Sequence, residues 1–161
     1  MAMSYRKTTS TSAEQGDVRI RAARAADLAA VVALDAEDTG ISKLAYWKSR
    51  FEWYAGRRPD RFFLVAERSE GMLGFIVGEV RAWEFGSPPS GWIFAIGVSR
   101  EARLHGIGTM LFEEMCVRFR KSGVQQVRTM LAKDNRLIMS FFRSLGMMAG
   151  PFIQLEMGLD P

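Results

Sequence analysis

Arg103, Gly106 and Gly108 stand at the spacing R-x-x-G-x-G, where an apolar run from Trp92 to Val98 gives way to apolar residues at helical spacing, Ile107, Leu111, Met115 and Phe119. The pattern predicts a strand, a glycine loop and a helix. A helix start leaves its first N–H groups without intrahelical partners and carries partial positive charge, and a loop lacking Cβ atoms lets those groups close around a phosphate. An anion site is therefore expected here. The lysine and hydroxyl of G-x-x-x-x-G-K-[ST] are missing, which excludes a P-loop. A dinucleotide fingerprint would need a third glycine or alanine where Leu111 stands.

A second segment follows, from Asp134 to Met147, with Asn135, Ile138, Phe142 and Gly146 at regular offsets. Together the two segments resemble the GNAT superfamily of acyl-CoA-dependent N-acyltransferases, whose signatures are Q/R-x-x-G-x-G/A and N-x-x-A-x-x-φ-Y-x-x-x-G-F. Two positions depart from it: Phe142 replaces the family's frequent tyrosine, and Ile138 its small residue. The resemblance implies an α/β fold with a mixed, largely antiparallel twisted sheet, flanking helices and a central parallel strand pair splayed around acyl-CoA. It implies that the backbone of Ile96, Gly97 and Val98 meets the pantetheine arm. Leu104, His105, Gly106, Ile107, Gly108 and Thr109, opened by Arg103, would cradle the pyrophosphate, with Leu104 and Ile107 turned to the core. Asn135 and Phe142 would lie near the CoA arm. Each has a plainer alternative: Gly97 as a bulge, Asn135 as a helix cap, His105 as a solvated loop residue.

The implied reaction transfers an acetyl or other acyl group from acetyl-CoA to a primary amine, on a small molecule, a lysine or a protein N-terminus. An amine attacks only when deprotonated, and amines titrate near 8 to 10.4, so a base is needed. Phe142 cannot supply or take a proton. On the strand predicted from Leu73 to Phe85, alternation groups Phe75, Val77, Glu79, Arg81 and Trp83 on one face and leaves Glu84 on the other. Glu79, the more central, is the expected base, against the simpler reading of a carboxylate paired with arginine. Tyr46, Trp47, Trp53 and Tyr54, with Asp35, Glu37 and Asp38 upstream, would suit a cationic acceptor or, for Trp47 and Tyr54, the core. A non-catalytic acyl-CoA-binding module is the alternative function, and a nucleic-acid-binding protein a lesser one.

The remaining residues must position this chemistry. A chain of 161 residues, 48% of them hydrophobic, is the size of one domain. Residues 17–161 are expected to form it, after a flexible Ser/Thr-rich tail at 1–16. The net charge of +4 suits a polyanion such as CoA. The basic residues are scattered, with Arg57, Arg58 and Arg61 the densest group, which disfavours nucleic acid. One cysteine and one histidine leave no transition-metal cluster, and Cys116 falls on the apolar side of its helix. No apolar run is long enough to cross a bilayer and no signal peptide opens the chain, so a cytoplasmic protein, with a homodimer as a further possibility, is expected. Val18 and Ile20 predict a first strand. Asp27 and Ser42 are expected to cap two helices, Gly56 and Pro59 to end the second, and a hairpin to turn at Glu70 and Gly71. Strands at Val124 to Leu131 and Phe152 to Met157 would flank a helix from Asn135 to Leu145.

Overall fold

A computed structural model describes residues 17–54 and 58–159, so the expectations for residues 1–16, Gly56 and Arg57 lie outside the described residues. The chain divides into two compact units, one ending at Met130 and the other beginning at Leu131. In the first, the order is β1 (Arg19–Ala22), α1 (Leu28–Thr39), α2 (Leu44–Tyr54), β2 (Arg61–Arg68), β3 (Gly71–Arg81), β4 (Ser90–Val98), α3 (Ile107–Lys121) and β5 (Val127–Thr129). The five strands form one sheet in sequence order. Pairing is antiparallel as far as β4 and parallel between β4 and β5, as a helical crossover requires.

Alternation along β3 assigns its two faces. Phe75 and Val77 join Phe63 and Val65 of β2 in a core with Val31 and Leu34 of α1 and Trp47, Phe51 and Tyr54 of α2. Gly74, Gly78 and Gly91 point the other way, at α3. A Cβ on Gly78 would lie 2.9 Å from the Phe119 ring, and one on Gly91 only 2.4 Å from it. The glycines let α3, with Ile107, Leu111, Met115 and Phe119 fully or almost fully buried, settle directly on the sheet.

The sheet register shifts between Val77↔Ala95 and Gly78↔Ile93, so Phe94 is an extra residue in β4. This bulge falls earlier than Gly97, where one was considered. Gly97 is instead a packing glycine: it pairs regularly with Phe75, and a Cβ there would come within 2.8 Å of Leu34. The extra residue also reverses the alternation of β4. Gly91 faces α3, whereas Ala95 and Gly97 face α1 and α2. Beside the bulge the parallel ladder ends, its pairs being Gly91↔Val127, Trp92↔Arg128 and Ile93↔Thr129.

Three local expectations, two caps and one strand, change in detail. Asp27 precedes α1 but turns its carboxylate to Arg21 and to the Arg24 N–H at 2.7 Å. The first turn of α2 bonds Trp47 N–H to the Lys43 carbonyl, so the helix starts past Ser42. The strand expected at Val124 to Leu131 is shorter, Val127–Thr129.

In the second unit, α4 (Arg136–Ser144) starts at Asn135, whose side chain accepts the Ile138 N–H at 3.2 Å. It ends where Gly146 takes a left-handed φ of 88° and the Met147 N–H returns to the Phe142 carbonyl. The strand expected at Phe152 to Met157 is not formed. Ile153, Leu155 and Met157 alternate as a strand would, but the segment has no ladder partner among the described residues and its apolar side chains are exposed. Alternation specifies an extended backbone; a strand also needs an edge to pair with.

Candidate active site

The glycine loop is built as a clamp. After β4 the chain makes a 3-10 turn at Arg100–His105, and Gly106 then enters α3 with φ 73°, a left-handed conformation costly for any residue with a Cβ. The first backbone bond of α3 runs from Met110 N–H to the Gly106 carbonyl at 3.0 Å. The N–H groups of Ile107, Gly108 and Thr109 thus precede the first intrahelical donor, and no side chain caps them. These amides, at the positive end of α3, fit a phosphate.

Arg103 holds the loop in shape. Its Nε donates to the Val98 carbonyl at 3.1 Å and its guanidinium pairs with Asp38 at the end of α1. Arg100 donates to the Glu37 carbonyl at 2.8 Å, a second tie to α1. The His105 ring Nδ1 lies 3.1 Å from the Glu101 carbonyl. Ile107 is buried, as anticipated, Gly108 is buried beside it, and Thr109 is half-buried. Leu104 is not in the core: it is 96% exposed, because the 3-10 turn spaces residues three to a turn and buries Ala102 instead.

Upstream on β4, Ile96, Gly97 and Val98 continue beyond the last pair with β5, so their pairing lies on the β3 side. This stretch leads from the bulge to the loop. At the strand's rise, Ala95 and Val98 are about 10 Å apart.

Around the bulge lies a cleft of about 350 Å³. Phe94 and Ala95 form one wall, Val77, Glu79 and Arg81 of β3 the floor, and the aromatic face of α2 the other wall. Glu79 is thus in a cavity, on the face that alternation indicated, with its side chain 18% exposed. Its Oε2 accepts the Tyr54 hydroxyl at 2.9 Å and its Oε1 accepts Arg81 Nε at 3.1 Å. Burial, reinforced by the Glu79 carboxylate, pushes the Tyr54 phenol well above its ordinary range. Glu84 lies outside the cleft, half-exposed and 3.7 Å from Arg81.

The acidic residues expected beside the aromatics do not line the cleft. Asp35 accepts Trp47 Nε1 at 2.9 Å and pairs with Lys43, and Asp38 binds the loop arginine. The charged residues that sequence reasoning missed are Arg50 and Arg81. The available signal was spacing: Arg50 lies one helical turn from Tyr46, Trp47, Trp53 and Tyr54 on α2, and Arg81 follows Glu79 on the same face of β3. Cys116 is buried in α3, and burial raises its thiol pKa. Among the described residues no group of three His, Cys, Asp or Glu side chains could hold a metal ion, and no helix is long and apolar enough to cross a membrane.

The sequence matches the acetyltransferase (GNAT) family over residues 28–147. The chain belongs to that family. No curated protein is significantly similar to it in sequence. Solved structures share its fold at low identity. A transcriptional regulator from Bacillus halodurans C-125 is 20% identical, with 88% of this chain and 99% of that one covered and a TM-score of 0.76. An aminoglycoside 6'-N-acetyltransferase from Acinetobacter haemolyticus is 20% identical, covering 88% and 99%, with a TM-score of 0.73. An aminoglycoside N-acetyltransferase in complex with CoA is 14% identical, covering 88% and 94%, with a TM-score of 0.77.

Proposed function

We propose that the protein transfers an acetyl group from acetyl-CoA to a primary amine by direct attack on the thioester. One observation carries this reading: β4 parts from β5 at its bulge, lines a carboxylate-bearing cleft there, and leads through the 3-10 turn to the uncapped start of α3. A donor lying along β4 would set its pyrophosphate on the Gly106 to Thr109 amides, with Arg103 fixing the loop. Its thioester would then reach the Phe94 to Val98 backbone, and the acceptor would enter from the α2 side. Asn135 and Phe142 are assigned to the CoA arm by their family positions alone.

The chemistry needs little beyond positioning. Glu79, directly or through water, takes the proton of the amine. The amine nitrogen attacks the carbonyl carbon while β4 N–H groups polarise the carbonyl oxygen. The C–S bond breaks with its electron pair going to sulfur, and the thiolate takes its proton from solvent. A thiol titrating near 8.5 is a good leaving group, so Phe142 in place of tyrosine is tolerable. In this reading residues 17–161 form the working domain, in the cytoplasm, and light scattering tests whether a second copy of the chain joins it.

Thiol release from acetyl-CoA, followed across a panel of small amines, lysine peptides and peptide N-termini, tests the reading. At least one class should release thiol above hydrolysis. Binding of acetyl-CoA without release for any amine would make the protein the alternative, a non-catalytic acyl-CoA-binding module.

A further inference from the structure

The charges of the cleft do not balance, and the excess is positive. Glu79 is the carboxylate lining it, and its two oxygens are already engaged by Tyr54 and Arg81. Arg61, stacked 4.1 Å over the Trp53 ring, lies 4.0 Å from Glu79 as well. Arg50 has no such match. Its guanidinium stands 5.5 Å over the Tyr46 ring, and its Nε is buried yet donates to no acceptor among the described residues. Asp35, the nearest acid of α1 to this helix by hydrogen bonding, is spent on Trp47 and Lys43.

A buried guanidinium donor left without an acceptor is costly, and a planar fork of donors matches a carboxylate in two parallel bonds. The walls beside it are flat and aromatic, from Tyr46, Trp53 and Phe94. The volume is at the small end of the roughly 300–1,000 Å³ typical of small-molecule sites. A polycation would meet two lining arginines, Arg50 and Arg81, and a single, already paired carboxylate. We infer that Arg50 is a specificity-determining residue of the acceptor cleft, and that the acceptor is a small aromatic amine that also carries a carboxylate. The inference rests on the acyl-transfer reading for the amine and on the cleft itself for the carboxylate.

Matched acceptors separate the two. With acetyl-CoA as donor, phenylalanine is compared with phenethylamine, tryptophan with tryptamine, and both pairs with kanamycin as a polycation. The carboxylated member should be favoured in kcat/KM by about 10-fold or more, the worth of a charge-assisted pair. In Arg50→Gln that ratio should fall towards one, while Arg50→Lys, which keeps the charge but not the fork, should retain part of it. Comparing ratios between variants cancels the intrinsic reactivity of each amine, and an acetyl-CoA-induced rise in Tm confirms that each variant is folded. Preference for the decarboxylated amines or kanamycin, or a ratio unchanged in Arg50→Gln, would overturn the assignment. Calorimetry with N-acetylphenylalanine decides the Arg50 role even if no amine is turned over. Binding weakened about 10-fold or more in Arg50→Gln supports it, and equal or absent binding in the wild type refutes it.

Discussion

Glu79 is the residue on which the proposed proton transfer turns. Glu79→Gln keeps the size and the ability to accept from Tyr54 but removes the base, and should lower kcat by roughly 10²-fold with the affinity for acetyl-CoA little changed. Near-normal turnover and an unaltered pH profile in Glu79→Gln would exclude it. Tyr54 acts on the same carboxylate from α2. Because its phenol is held above the usual value near 10, it stays protonated through that pH, and an alkaline rise in rate below pH 10 cannot be its titration. Tyr54→Phe should therefore leave the midpoint of such a rise in place while lowering kcat through loss of the hydrogen bond that orients Glu79. Cys116 makes the opposite case. Its burial and raised pKa keep it out of nucleophilic chemistry, so Cys116→Ala should retain turnover within about threefold, measured on protein whose Tm response to acetyl-CoA is intact.

At the scale of elements, the glycine face of the sheet sets the height at which α3 sits and so the place of its N-terminus. Gly91→Ala would drive a methyl into the Phe119 ring, itself buried, and should destabilise by about 1–3 kcal/mol, read as a fall in Tm of about 2–4 °C per kcal/mol. Gly106→Glu combines an unfavourable left-handed φ with a carboxylate at the proposed anion site. Acetyl-CoA at about 100 times its Kd should stabilise the wild type by about 2.7 kcal/mol, and that rise in Tm should vanish in Gly106→Glu. A larger response to NAD or ATP would contradict the assignment of the loop. Much of this layer is legible in the sequence because it is periodic. Alternation in β3 indicates which face holds Glu79, and 3.6-residue spacing in α3 indicates that Met115 and Phe119 are buried. What is not legible depends on a partner element. The bulge at Phe94 exists only relative to β3, the exposure of Leu104 follows from a 3-10 turn closed by Arg103 and Asp38, and the segment from Phe152 to Met157 has a strand's pattern without a strand's neighbour. The isolation of Arg50 is likewise invisible until α2 lies over β3 and Asp35 is seen to bond elsewhere.

For the molecule as a whole, acid stability should depend on an ion-pair network that ties β1 to the start of α1 and to β2. Arg21 pairs with Asp27 at 2.7 Å and with Glu67 at 2.6 Å, and hydrogen bonding to it holds both carboxyls below their ordinary range. A carboxyl whose folded pKa is depressed contributes stability that is present above its unfolded pKa, about 4, and is lost as pH falls through the folded value. Thermal denaturation between about pH 7 and pH 2.5 should therefore show a plateau and then a decline below pH 4. Asp27→Asn should lower the plateau by about 1–2 kcal/mol and flatten the decline. An acid limb identical to that of the wild type would remove Asp27 from the account. The central claim, direct transfer to an amine, is tested most directly by the fate of an isotopically labelled acetyl group, followed by mass spectrometry of intact protein and small molecules. Without an amine, the protein should bind labelled acetyl-CoA and carry no covalent label. With an accepted amine, labelled N-acetyl product and CoA thiol should appear in equal amounts. An acetylated protein intermediate, or thiol released with label recovered only as acetate, would contradict it.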